Sequence, residues 1–440
     1  MKRTDFEDRV EAELDNGLKL LIKPIPTAPI ISHWMWYRVG SRDEAPGKTG
    51  LSHWVEHMQF KGTPNYSSEE IEREIARKGG MWNAFTFFDW TTYYASMPAA
   101  EIDGLMRFEA DRMRNTAYSP DEVESERAVI LSELEGGEND PTFKLSRRVQ
   151  EALIQIHPYH HEVIGTREDL HAHTYHDLLE HYHRYYRPSN AVLTIAGDLD
   201  PNQMLEKVAE LYANIPDSAE PRLPIKRVYP TDLPNQSEQV FEVEGPGDTV
   251  FVEISYPTLP AAHPDTFALI IFDSLLSGPT NMNMFGGGSV SNKTSRLFKA
   301  LIDSGLAMGA GGGSPITIDP FLYTFNLTLR PEQSVQTAIK ALDEQIERLQ
   351  NEPVGQEQIA RAIKQAKAIF AYGAENITNQ AFWLGHAEMF ANYSWFQNYL
   401  HCLEEVTPAD LTRVARQCFL KQQRAVGIYL PNGQALEETW

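Results

Sequence analysis

The five residues His53-Trp54-Val55-Glu56-His57 constrain this chain more than any other stretch. They read H-x-x-E-H, the inverted form of the H-E-x-x-H zinc-peptidase motif. The spacing has chemical meaning on a helix, where residues four apart lie one turn above each other. Both imidazoles then reach one metal ion, and Glu56, about 60° around the axis from His53, stays beside it. From there Glu56 can act as a base on a water at the metal. The flanks predict a short, half-buried helix. Thr49 can cap it, Leu51, Val55 and Met58 form an apolar side, and Gly62-Thr63-Pro64 ends it. A solvated helix with two surface histidines would lack such punctuation.

A catalytic zinc takes three protein ligands and keeps one position for water. Glu133 is the best third candidate. Ser119 reads as an N-cap, Pro120 fits the first helical position and Glu122 completes a capping box. The helix is expected to run to about Glu135 and to stop at Gly136-Gly137. On it Val123, Glu126, Ile130 and Glu133 share one face. Two carboxylates on an apolar stripe are costly to bury unless a partner such as a cation offsets them. Glu133 is therefore read as the ligand. Glu126 is read as its companion in catalysis, orienting a histidine or assisting proton transfer. One Zn2+ per chain is the implied cofactor.

The residues around the motif carry a resemblance. Gly50-Leu51-Ser52-His53-Trp54-Val55-Glu56-His57-Met58-Gln59-Phe60-Lys61-Gly62-Thr63 closely resembles the active-site helix of the pitrilysin-type metallopeptidases. That group includes mitochondrial processing peptidase and insulin-degrading enzyme. Asn83-Ala84-Phe85-Thr86, with Asp89, Thr91 and Tyr93, resembles the family's strand beside the zinc. Glu126 to Glu133 resembles its paired-glutamate helix. His157-Pro158-Tyr159, Ile164-Gly165-Thr166 and Tyr186-Arg187-Pro188-Ser189-Asn190-Ala191 are similar to the rest of the first domain. The resemblance implies that Asn83, Ala84 and Phe85 bind the substrate backbone by adding a strand. It also implies a substrate chamber, and an α+β fold of two similar domains, each a mixed sheet covered by helices on one side.

Composition allows this. At 440 residues the chain is long enough for two full cores. Hydrophobic content of 42% and charged content of 23% are those of a globular protein. The expected division is 1–215 for the zinc-binding domain, 216–239 for a proline-rich linker and 240–440 for a second domain. A net charge of −22 argues against nucleic acid, whose phosphates need clustered Lys and Arg. No stretch approaches a membrane span, and the N-terminus has no apolar core of a signal peptide. Two cysteines make no disulfide framework. A cytoplasmic location is the expectation.

The second half departs from the resembled pattern. Self-sufficient members carry an arginine and a tyrosine there, which are thought to hold the substrate carbonyl and its developing charge. In Ser295-Arg296-Leu297-Phe298-Lys299-Ala300-Leu301-Ile302-Asp303-Ser304-Gly305-Leu306-Ala307-Met308 those positions hold Leu301 and Met308, neither of them a side-chain donor. The implied partner is a related subunit without the zinc motif, giving a heterodimer acting on a peptide substrate. A homodimeric peptidase active by itself, or a non-catalytic scaffolding subunit, are the alternatives. Two glycine-rich runs, Phe285-Gly286-Gly287-Gly288-Ser289 and Gly309-Ala310-Gly311-Gly312-Gly313, read as a flexible substrate loop or as loose connections. The histidines between His157 and His183 read mainly as loop and helix-surface residues.

Overall fold

The computed structural model describes residues 1–217, 232, 236–278 and 293–433. Most of the expected linker and the Phe285–Ser289 run lie outside them.

The first sheet contains β1 (Lys2–Asp5), β2 (Val10–Glu13), β3 (Lys19–Pro24) and β4 (Ile30–Tyr37). A two-residue hairpin, β5 (Gly62–Thr63) and β6 (Tyr66–Ser67), stands apart from it. The sheet is completed by β7 (Met81–Thr86), β8 (Thr91–Pro98) and β9 (Ala191–Gly197). Its order is β1-β2-β3-β9-β4-β8-β7, with β3 and β9 parallel and all other neighbours antiparallel. The second sheet holds β10 (Gln239–Gly245), β11 (Phe251–Pro257), β12 (Ala307–Gly313), β13 (Leu322–Leu329) and β14 (Ala425–Pro431). Its order is β10-β14-β11-β13-β12, with β10 and β14 parallel.

The helices of the first half are α1 (Leu51–Met58), α2 (Ser68–Arg77), α3 (Ile102–Asn115), α4 (Pro120–Asn139), α5 (Pro141–Leu153), α6 (Arg167–Ala172), α7 (Tyr175–Tyr185) and α8 (Pro201–Tyr212). Those of the second are α9 (Thr266–Leu276), α10 (Val335–Asn351), α11 (Gln356–Glu375), α12 (Ile377–Phe390), α13 (Tyr393–Gln397), α14 (Tyr399–Glu404) and α15 (Pro408–Cys418). None is long and apolar enough to cross a membrane.

Two compact units result, and they are not the contiguous halves expected. One holds residues 1–134, 161–217 and 374–393, and the other holds 135–160 with most of the remainder. Thus α12 packs on β4 and β9 of the first sheet, while α5 packs on β11 and β14 of the second. Packing chemistry explains α12. Nearly every side chain on it is buried, from Ile377 to Phe390. A helix with apolar side chains on every side has to be enclosed, and its buried Glu388 is paired with Lys19. Gly385 lets it approach, since a Cβ there would lie 2.0 Å from Nε1 of Trp36. Trp34 and Trp36, both without solvent exposure, meet Phe382 at 5.4 Å between ring centroids. The opposite face of the same sheet carries Met35, Tyr37 and Tyr93, with α3 supplying Arg112 over the Tyr93 ring at 4.1 Å. In the second unit Val252, Ile254 and Tyr256 pack with residues of α9, α10 and α15.

The run Gly309–Gly313 is neither a mobile loop nor a loose connection. It forms the edge strand β12, paired with β13 over Ala307 to Gly313.

Candidate active site

Helix α1 begins in an unusual way. Its N-cap is Gly50 at φ 88°, which offers no side chain. A Cβ there would lie 2.5 Å from the Ile164 carbonyl oxygen, so glycine is required by space as well as by φ. Thr49 is not the cap. Its hydroxyl donates to Asp169 Oδ2 at 2.6 Å, and its amide donates to the same oxygen at 3.0 Å. The cap comes instead from Glu44, whose carboxylate accepts from the Gly50 amide at 2.8 Å and the Ser52 amide at 2.7 Å. Burial pushes the Glu44 carboxyl up to about 8, against the pull of those amides. The His181 Nε2 lies 3.2 Å from Ser52 Oγ, and His173 Nε2 donates to the Thr49 carbonyl at 2.8 Å. His157, whose Nε2 lies 3.0 Å from Asp319 Oδ2, His173 and His181 are therefore buried and engaged, not the surface residues expected, because each meets a polar group that only the fold brings near.

Leu51, Trp54, Val55 and Met58 are buried, which leaves His53 and His57 on the opposite side with ring centroids 4.6 Å apart. Helix α4 faces them. Its capping box forms as read from the sequence: the Ser119 amide donates to Glu122 Oε2 at 2.9 Å, and the Glu122 amide donates to Ser119 Oγ at 3.2 Å. The helix does not stop at Gly136-Gly137 but continues to Asn139. A glycine ends a helix by turning to positive φ, and neither of these two does so. Val123, Glu126, Ile130 and Leu134 form its buried stripe. Glu133 sits beside that stripe with a side chain 52% exposed, at a rim and not within an apolar face.

The side chains converge. Glu133 Oε2 lies 3.8 Å from His53 Nε2 and 3.7 Å from His57 Nε2. One ligand atom from each of the three falls within 4.8 Å of the others. The donor set, two imidazoles and a carboxylate, is one that zinc takes. The far side of His57 is fixed: its Nδ1 lies 2.8 Å from Glu126 Oε1, and Lys61 Nζ pairs with the other oxygen of Glu126. A carboxylate on Nδ1 turns Nε2 toward the cluster, the usual way in which a ligating imidazole is held. Glu126 is drawn down to about 2, first by the His57 hydrogen bond and then by Lys61. Burial alone would lower His57, but Glu126, Glu56 and Glu133 outweigh it and raise it. Burial and the neighbouring His57 depress His53 to about 3, so it stays neutral and keeps a lone pair for a metal.

Glu56 is 9% exposed, and burial lifts its carboxyl to about 7. The Thr86 hydroxyl donates to its Oε2 at 2.5 Å. Thr86 is the last residue of β7, the edge strand that carries Asn83, Ala84 and Phe85. Asn83 is exposed, Ala84 is buried and Phe85 lies between, and Asn83 Oδ1 accepts the Ala84 amide at 2.9 Å. Thr86, Lys61 and Glu44 were not singled out from the sequence. Thr86 and Lys61 lie inside the motif stretches, whereas nothing local marks Glu44. In the second unit Leu301 is fully buried and Met308 is 52% exposed.

Two units of one strand order, one of them bearing a His-His-Glu cluster, define a repeated α+β protein with a candidate metal centre. Two family models match it. One described as Insulinase (Peptidase family M16) covers residues 19–167, and one described as Peptidase M16 inactive domain covers residues 172–366. The chain belongs to peptidase family M16. Zinc protease PqqE of Helicobacter pylori is 25% identical over 426 residues, covering 95% of this chain and 91% of the relative. An uncharacterized zinc protease of Rickettsia bellii is 24% identical over 412 residues, covering 93% and 94%. A crystal structure of a protease from Helicobacter pylori matches with a TM-score of 0.87 at 24% identity, over 96% of this chain and 99% of that one. The periplasmic protease PqqL of Escherichia coli matches with a TM-score of 0.76 at 18% identity, over 98% of this chain but 48% of that one. The structural likenesses establish the fold.

Proposed function

We propose that this chain is a zinc-dependent endopeptidase acting on peptides or small unfolded polypeptides, as the zinc-bearing subunit of a heterodimer. One observation carries the reading: His53, His57 and Glu133, from two helices, bring ligand atoms within 4.8 Å of one another. These three would hold the ion, and Glu126 would orient His57. When bound, zinc supplies Lewis acidity, making a water a better nucleophile and a carbonyl a better electrophile. Glu56 takes a proton from the attacking water and returns it to the leaving amine. Thr86 holds Glu56 toward that task. The peptide lies extended along the β7 edge, hydrogen-bonded through the backbone beside Asn83, Ala84 and Phe85.

The partner is inferred from what this chain lacks. Leu301 and Met308 offer no side-chain donor for the developing charge on a carbonyl oxygen, a role worth several kcal/mol where it exists. A second chain would supply an arginine and a tyrosine. The match to less than half of PqqL supports the idea that a related half completes such proteins. The description of the second family model as an inactive domain favours a scaffolding alternative, but that model covers the part without the His-His-Glu cluster.

The test is hydrolysis of a quenched fluorescent peptide of about 10–20 residues by the zinc-loaded chain, alone and with a related chain bearing the arginine and tyrosine. Turnover that needs the partner, with Glu56→Gln lowering it about 10^3-fold while zinc stays bound, is expected. Strong turnover by the chain alone would point to an autonomous homodimer. A chain that binds no zinc would leave the scaffolding reading.

A further inference from the structure

We propose that Glu44 is a positioning residue for the metal centre, holding the first turn of α1 so that His53 meets Glu133. The inference rests on the metal-site reading above. Glu44 lies outside the H-x-x-E-H motif, and its carboxyl group meets the amides of Gly50 and Ser52. Its side chain has no solvent exposure. Ser52 directly precedes His53, so those two bonds fix where the helix begins and hence where the imidazole points.

Other helices of this chain show what an ordinary cap looks like. Ser67 caps α2, Thr166 caps α6, Thr174 caps α7 and Thr407 caps α15, each from the adjacent position. A local Ser or Thr cap contributes about 1 kcal/mol at little cost in desolvation. A carboxyl group withdrawn from water is an expensive way to obtain only that. At α1 the adjacent position is a glycine held by close approach to Ile164, and Thr49 is engaged with Asp169. The cap therefore arrives from a residue on another turn of chain. It ties α1 to the segment after β4, and His161 Nδ1 lies 4.0 Å from Glu44 Oε2.

The experiment compares the full chain with Glu44→Ala and Glu44→Gln. Zinc affinity is measured by chelator competition, Co2+ geometry by the visible spectrum, and thermal unfolding on the metal-free forms. Loss of about tenfold or more in zinc affinity, with altered cobalt bands, is expected for Glu44→Ala. Glu44→Gln, which keeps one acceptor oxygen, should fall between it and the parent, and it decides the matter if Glu44→Ala does not fold. A merely structural role would lower the unfolding temperature and leave both metal readouts alone. Zinc affinity within about twofold of the parent in both variants, with unchanged cobalt spectra, would overturn the proposal. A parent chain that takes up no zinc would overturn the metal-site reading itself, and this inference with it.

Discussion

The two sheets of this molecule repeat one plan with different contents. Strands β3-β9-β4-β8-β7 and β10-β14-β11-β13-β12 follow the same order, each with one parallel pair at the same place. In both units a helix follows the second of these strands in the chain. In the first it is α1, with two histidines and a glutamate on its open side. In the second it is α9, Thr-Phe-Ala-Leu-Ile-Ile-Phe-Asp-Ser-Leu-Leu, buried from Ala268 through Leu276 except for Ile270. The edge strands differ likewise: β7 carries Asn83-Ala84-Phe85-Thr86, and β12 is mostly glycine. One topology thus carries a His-His-Glu cluster in one copy and plain packing in the other. Chemistry resides in a handful of side chains, and the fold by itself does not decide it.

The comparison breaks most easily at Leu301 and Met308. If the second unit is a packed core without reactive purpose, Leu301→Arg buries a charge and should lower stability by about 3 kcal/mol or more, whereas Met308→Tyr should change it by about 0.5 kcal/mol or less. Thermal or denaturant unfolding distinguishes the two. Peptidase activity gained by the chain alone with Leu301→Arg, at unchanged stability, would contradict a purely structural second unit.

Next in size is the support of His57. Lys61→Met removes the cation paired with Glu126 and should weaken zinc binding about tenfold, read by chelator competition. An unchanged affinity would mean that Glu126 orients His57 without help. The packing of α12 and α5 gives a third contrast. Gly385→Ala drives a Cβ into the rigid Trp36 ring and should cost about 1–3 kcal/mol. Gly427→Ala meets the aliphatic side chains of Leu145 and Val149 at 2.7 and 2.8 Å, farther off than the Trp36 ring is from Gly385, and should cost less.

The smallest effect concerns pH. Glu56 acts as a base only when ionised, so activity falls as pH drops through its pKa. That limb should lie between the ordinary carboxylate value of 4.5 and about 7, since burial raises the group and a bound cation pulls it back. Thr86 donates to the ionised form, so Thr86→Val should move the limb to higher pH and cost a few-fold more activity at acid than at alkaline pH. Thr86→Ser should retain the parent profile of kcat/KM, and a Thr86→Val profile that matches the parent would dismiss the hydrogen bond.

Much of the site was legible because its signals are local. His53, Glu56 and His57 lie within two helical turns, and the Ser119-Glu122 capping box announced α4 from four residues. The period of the helix then placed Glu126 and Glu133 on related sides. The α+β fold of two similar domains followed from the resemblance those motifs carry. What the sequence by itself determined is this set of candidate side chains and the helices that bear them.

The tertiary structure decided the rest. Glu133 stands at a rim because Leu134 completes the buried stripe. Thr49 turns away from α1 because Asp169, far along the chain, takes its hydroxyl, and Glu44 becomes the cap. Helices α5 and α12 each pack on the sheet of the other half of the sequence. The physical reason is common to all three. A hydrogen-bond partner or an apolar surface is chosen by distance in space, and residues remote along the chain compete on equal terms with neighbours once a core has brought them together.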